Sequence, residues 1–184
     1  MRAHLKTLLI SALLSSTAVG SIAYLSCNRD LCKTVVCANG GVCNGGSCTC
    51  VAGYEGVNCG TVSRSKFLGN WTVFEKGSYT NAAQYTVHID TGINISDIII
   101  TNFNNYFTLP VLGSVSGDTL YLLNQDLQAK RIVGTGFITP NATYGQDDYM
   151  LVSYEVIDSV TGVADDYGYN TLLDNSAPSQ WNKD

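Results

Sequence analysis

Alternation of apolar and polar positions dominates the chain beyond residue 66. In Gln84-Tyr85-Thr86-Val87-His88-Ile89-Asp90 every second residue is apolar, so Tyr85, Val87 and Ile89 share one face of a strand. The stretch 149–158 repeats the pattern, with Met150, Val152, Tyr154 and Val156 on one side and Ser153 and Glu155 on the other. Ile98-Ile99-Ile100 is β-branched throughout and predicts a strand buried on both faces. Residues 107–115 and 119–123 predict a hairpin across Ser116-Gly117-Asp118. Residues 131–139 carry Gly134 and Gly136 one strand period apart, where a sheet bends or another backbone comes close. A last return follows Thr161-Gly162. With Gly69–Glu75 at the start, about eight strands follow one another at meander spacing, and no segment has a convincing helical period. The pattern predicts an all-β domain over 66–170, an antiparallel meander barrel whose closure removes exposed edges. A two-sheet β-sandwich is the alternative with the same strand pattern. From Thr171 on, residues such as Asn175, Ser176, Pro178, Ser179 and Asn182 predict an irregular tail over 171–184.

The segment before this domain has no such pattern. Residues 32–59 hold six of the seven cysteines, spaced Cys-x4-Cys-x5-Cys-x4-Cys-x-Cys-x8-Cys, and few apolar residues besides. A stretch that short cannot bury enough apolar area to offset its ordering entropy, so it needs covalent staples. Six cysteines allow fifteen pairings, and counting does not choose among them. Thiolates at these spacings are also compatible with zinc, a reading disfavoured by the charged start and apolar run of residues 1–26, the pattern of a secretory signal.

Asn39-Gly40-Gly41-Val42-Cys43, followed by Cys50-x-x-Gly53-Tyr54-x-Gly56-x-x-Cys59, resembles an epidermal growth factor-like (EGF-like) module. The resemblance covers 32–59 and implies the disulfides Cys32–Cys43, Cys37–Cys48 and Cys50–Cys59. The loop from Cys43 to Cys48 is shorter than in most animal members, which removes part of the usual central hairpin. Residues 60–65 are a short polar link to the barrel. There, Phe67-Leu68-Gly69-Asn70-Trp71 resembles the Gly-x-Trp opening of lipocalin-like barrels, in which the Trp closes one end.

At the N-terminus Arg2, His4 and Lys6 precede an apolar run from Leu8 to Leu14 and then small residues, the pattern of a secretory signal over 1–26. The signal ends in Tyr24-Leu25-Ser26-Cys27, which resembles a bacterial lipobox, with Tyr24 where Leu is usual. The resemblance implies that Cys27 becomes the lipid-bearing N-terminus of an exported outer-membrane lipoprotein, at the cell surface or on the periplasmic face. Cysteine arithmetic agrees, since six paired cysteines leave Cys27 alone. Residues 27–31 then form a lipid-anchored linker. Within it Asn28 and Asp30 partly resemble the lead-in of calcium-binding EGF-like modules, but Leu31 stands where an acidic or amide residue belongs. Calcium is a weak candidate on that basis, and no other cofactor is expected.

Charge narrows the partners. Charged residues make up 14% of 184 positions and the net charge is −5. Residues 66–184 hold five basic and thirteen acidic side chains, which argues against nucleic acid and against docking on anionic lipid. Candidate chemistry is sparse. His88 lies on the polar face of its strand, and Asp147-Asp148 and Asp165-Asp166 flank the last hairpin as adjacent residues pointing to opposite faces. Solvated turn carboxylates are the simpler reading, and an enzyme is not expected. The chain reads as a non-enzymatic, membrane-anchored protein whose EGF-like stalk presents a barrel for protein or glycan contact, with Tyr79, Tyr106, Tyr144, Tyr167 and Tyr169 as candidate contact aromatics. The alternative is a lipocalin-like carrier of a small apolar ligand lined by Trp71, Val87, Val152 and Tyr154.

Overall fold

A computed structural model describes residues 31–139, 148–170, 172 and 176–184. Cys27, Asn28 and Asp30 lie outside the described residues, as do Tyr144 and Asp147.

The first unit is held by disulfides joining Cys32 to Cys43, Cys37 to Cys48 and Cys50 to Cys59, the pairs that the EGF-like resemblance implies. Strands β1 (Val42–Asn44) and β2 (Ser47–Thr49) form a hairpin turning on Gly45 and Gly46. Both glycines have positive φ, as a two-residue turn matched to strand twist requires. Strand β3 (Tyr54–Glu55) pairs with β4 (Thr61–Val62), and a short 3-10 turn over Ser63–Lys66 leads into the second unit.

That unit is a closed barrel. Its strands are β5 (Gly69–Glu75), β6 (Ala83–Thr91), β7 (Asp97–Thr101), β8 (Val111–Ser116), β9 (Thr119–Leu127), β10 (Lys130–Thr139) and β11 (Tyr149–Asp158), followed by β12 (Ala164–Tyr167) and β13 (Ser179–Lys183). Strands β5 to β11 form an antiparallel meander, each paired with the next, and β13 closes the ring by pairing with both β11 and β5. Eight strands therefore complete the barrel, while β12 is a flap on the far half of β11. Closure rules out the sandwich alternative.

Three expectations need correction. The tail over 171–184 is not irregular throughout, because Ser179–Lys183 is the closing strand and the barrel extends past residue 170. Gln180 faces out and Trp181 faces in, so this strand has one large apolar residue and no periodic run to reveal it. The strand read over 107–115 begins only at Val111; Pro110, just before it, has no N–H to give a ladder. Ile99 is only half-buried on the outer face, so the isoleucine run alternates instead of being buried on both sides.

Inward residues of all eight strands fill the interior. Trp71, Val73, Val87, Ile100, Leu120, Ile132, Met150, Val152, Tyr154 and Trp181 are fully buried. Gly134 pairs with Tyr154 across β10 and β11, where a Cβ would stand 2.5 Å from the Ser153 carbonyl oxygen and 2.8 Å from Tyr154 Cα. A bulge in the β9–β10 register falls beside it, between Ile132 and Gly134. Glycine at this point lets the stacked ring of Tyr154 occupy the barrel interior.

The disulfide unit docks on one end of the barrel. Arg64 Nη1 donates to the carbonyls of Gly92, Asn94 and Asp97, at 3.3, 2.6 and 3.1 Å, in the β6–β7 connection. Gly53 lies against Ile95, leaving no room for a side chain, and its carbonyl accepts the Ser63 N–H. Lys66 bridges Glu55 of the unit and Asp118 of the barrel, at 2.9 and 2.5 Å. Burial opposes the charge on Lys66, but these hydrogen bonds and the two carboxylates outweigh it and hold its pKa above the ordinary lysine value. Trp71 sits at this same end, its Nε1 donating to the Phe67 carbonyl and its ring covered by Lys183 Nζ at 5.4 Å.

Candidate binding cleft at the far end of the barrel

The opposite end is built differently. There β5 ends in Glu75, whose side chain follows Trp71 and Val73 on the inward face. A carboxylate in that position needs donors, and four converge on it. Tyr85 Oη donates to Oε1 at 2.6 Å and Asn104 Nδ2 to Oε1 at 3.2 Å; Tyr154 Oη and Ser179 Oγ donate to Oε2 at 2.6 and 2.8 Å. Trp181 Nε1 in turn donates to Ser179 Oγ at 2.9 Å. The closing strand thus carries part of this network, and the barrel interior ends in a polar floor above an apolar core.

Asn104 ties the floor together. Its Nδ2 also reaches the hydroxyl oxygens of Tyr154 and Tyr167, at 3.0 and 2.9 Å. The rings of Tyr154 and Tyr167 stack with centroids 4.3 Å apart. Asn104 is placed by an unusual loop in which Asn102, Asn104 and Asn105 all have positive φ (60, 54 and 46°). Asparagine tolerates that region better than other side chains bearing a Cβ. Burial raises the phenol pKa of Tyr167 to about 12, and burial with the nearby Glu75 charge pushes Tyr85 up further; Tyr154 is raised as well.

Above the floor lies an open cleft of about 430 Å³, which shares Thr80, Asn104 and Tyr106 as lining residues with a second hollow of about 290 Å³. Tyr79 and Tyr106 stand exposed on its rim. Lys130 Nζ lies 5.3 Å from the centre of the Tyr106 ring and 3.5 Å from Asp158 Oδ2. Asp158 Oδ1 accepts the N–H groups of Val160 and Thr161 and the Thr161 hydroxyl, which together hold its pKa down at about 2.

The structure distributes the sequence candidates unevenly. Tyr79, Tyr106 and Tyr169 are exposed, whereas Tyr167 is buried in the stack and is not a contact aromatic. Trp71, Val87, Val152 and Tyr154 belong to the packed core; of the four, Tyr154 reaches the cleft floor through its hydroxyl. His88 is exposed and paired with Asn70. Asp165 and Asp166 are not simple turn residues. Asp165 accepts from the Tyr79 N–H and the Tyr167 hydroxyl, while fully buried Asp166 accepts from the N–H groups of Gly168 and Asn170 and from the Ser176 hydroxyl. Among the described residues the two carboxylates face different surroundings and share no hydrogen-bond partner. Among the described residues, no three His, Cys, Asp or Glu side chains group as metal ligands.

Glu75, Asn104 and Lys130 were not anticipated. The register of Trp71-Thr72-Val73-Phe74-Glu75 does place Glu75 on the core face, a legible signal of a buried polar site. Three asparagines within 102–105 likewise signal a left-handed loop. Their convergence is not a property of either segment alone.

Fold and site together define a disulfide-stapled module docked on a closed eight-stranded antiparallel barrel, with an aromatic-rimmed cleft at the free end. No protein-family model matches the chain, and no curated protein or solved structure compared with it matches either.

Proposed function

We propose that this protein is a non-enzymatic, exported lipoprotein that displays a binding cleft away from the membrane. Acylated Cys27 anchors it, the EGF-like module spaces it from the bilayer, and the lipocalin-like barrel contacts a protein or glycan at the cell envelope. One observation carries the reading: the disulfide module and the cleft occupy opposite ends of the barrel. A chain tethered just ahead of Cys32 therefore approaches the barrel from the end away from the cleft. The Arg64 contacts and the Lys66 bridge fix the module instead of leaving it swinging. The cleft carboxylates are engaged by donors of the protein itself, which favours a binding role over acid–base chemistry.

The test has two parts, both in intact cells of the native host. Cys27→Ser should release the protein from the membrane fraction, and retention of the variant on the membrane would defeat the anchoring reading. A photo-crosslinking residue at Tyr79 should capture an envelope component, whereas the same residue at exposed Gln180 on the barrel wall should not. Equal capture at both positions, or none, would defeat the display reading.

A further inference from the structure

We infer that the far-end cleft takes an uncharged oligosaccharide. This rests on reading the cleft as the contact surface and names the chemistry of what enters it. The groups that still have hydrogen-bonding capacity decide the class. Glu75 already accepts four donors, Asp158 Oδ1 three, and Asp165 is held by Tyr79, Ser78 and Tyr167. A cationic ligand finds most of these acceptor sites already taken by internal donors. An anionic one meets three carboxylates against one lysine, itself paired with Asp158.

Side-chain amides are prominent among the groups that remain open. The side chains of Asn81 and Asn105 line the adjoining hollow and make no hydrogen bond among the described residues. Asn104 spends its N–H groups on the floor, and its carbonyl oxygen has no hydrogen-bond partner among the described residues. An amide presents a donor and an acceptor side by side, the complement of a hydroxyl, which is also both. Beside these amides stand the exposed rings of Tyr79 and Tyr106, flat apolar surfaces for the C–H face of a sugar ring. Open donor–acceptor pairs next to aromatic platforms suit a neutral polyhydroxylated ligand with apolar faces. The cleft and its adjoining hollow are in the size range of small-molecule sites, about 300–1,000 Å³. The left-handed backbone at Asn104 and Asn105 fits the same assignment, since strain of this kind collects at ligand clamps.

The test uses the full chain extracted in mild detergent and saturation-transfer NMR. The neutral panel is cello-, malto-, laminari-, manno-, xylo- and chitohexaose; hexagalacturonate, a heparin-derived hexasaccharide and spermidine are the charged probes. At least one neutral hexasaccharide should bind, about tenfold more weakly to Tyr106→Ala, while the charged probes do not. Thermal unfolding checks that the variant is folded, and Asn81→Ala replaces it if it is not. The inference is overturned if no neutral probe binds, if a charged probe binds as well as the best neutral one, or if the folded variant binds unchanged. A crosslink from Tyr79 to an envelope protein, with a silent panel, would sink the saccharide assignment and leave the display reading standing.

Discussion

Trp181 is the sharpest place to test the architecture. It lies on the closing strand, is fully buried, packs 6.0 Å from the Phe103 ring, and supports Ser179 beneath Glu75. Trp181→Ala removes the largest side chain of that strand and leaves a cavity that eight covalently continuous strands cannot easily collapse. Substitutions of this kind cost about 3–5 kcal/mol. That is a large share of the roughly 5–15 kcal/mol that holds a domain together. With a urea slope of about 1.5 kcal/mol per molar, the midpoint should fall by about 2–3 M. Urea titration of the oxidised chain, followed by fluorescence of Trp71, the other tryptophan, reads the shift directly. Gln180→Ala, one position away and facing solvent, is the control and should move stability by no more than about 0.5 kcal/mol. A Trp181→Ala midpoint within about 0.5 M of wild type would mean that residues 179–183 do not close the barrel. Equal loss in both variants would mean that strand pairing, not burial of the indole, supplies the stability.

Other outcomes follow from the same geometry. Each disulfide closes a loop of about ten residues and should contribute somewhat under about 3 kcal/mol to the module in the chain-entropy model. Reduction should therefore open residues 32–59 to protease while the near-ultraviolet circular dichroism of the disulfide-free barrel persists; joint collapse would show that the barrel depends on the module. Arg64→Ala should loosen the junction by about 1–3 kcal/mol, read as faster proteolysis within 60–65, and unchanged cleavage would rule out the docking role of the guanidinium. Tyr85, Tyr154 and Tyr167 all have raised pKa values, so their contribution to stability is complete below pH 10 and lost as the pH rises through the folded values, about 12 for Tyr167. Tyrosinate absorbance should accordingly rise in two stages, the second coinciding with unfolding; a single step near pH 10 with the fold intact would refute the buried phenol network. Asp158 has a lowered pKa, so its turn is stabilised above the ordinary carboxylate range and loosens only as the pH falls through about 2, which side-chain carboxyl NMR shifts would follow.

Local pattern carried much of this fold. Alternation in 84–90 and 149–158 specified which side chains face inward, because a strand puts successive residues on opposite faces whatever it pairs with. The disulfide pairs were legible only through the resemblance of the cysteine and glycine pattern to EGF-like modules, since six cysteines by themselves leave fifteen pairings open. Other features depend on what meets across the chain. Ser179–Lys183 becomes a strand because β5 and β11 both offer it an open edge, and its own residues, with a single inward indole, do not demand one. Glu75 is tolerated inside because Tyr85, Asn104, Tyr154 and Ser179 arrive from four other segments to satisfy it. Asp166, adjacent to another aspartate in a polar stretch, is buried for the same reason. The sequence by itself determined most of the strands and their inward faces, which are set by interactions over a few residues, and its resemblance to EGF-like modules supplied the disulfide pairs. The closing strand, the polar floor and the placement of the cleft opposite the module were decided only by the tertiary structure, because each needs donors, edges or walls brought together from distant parts of the chain.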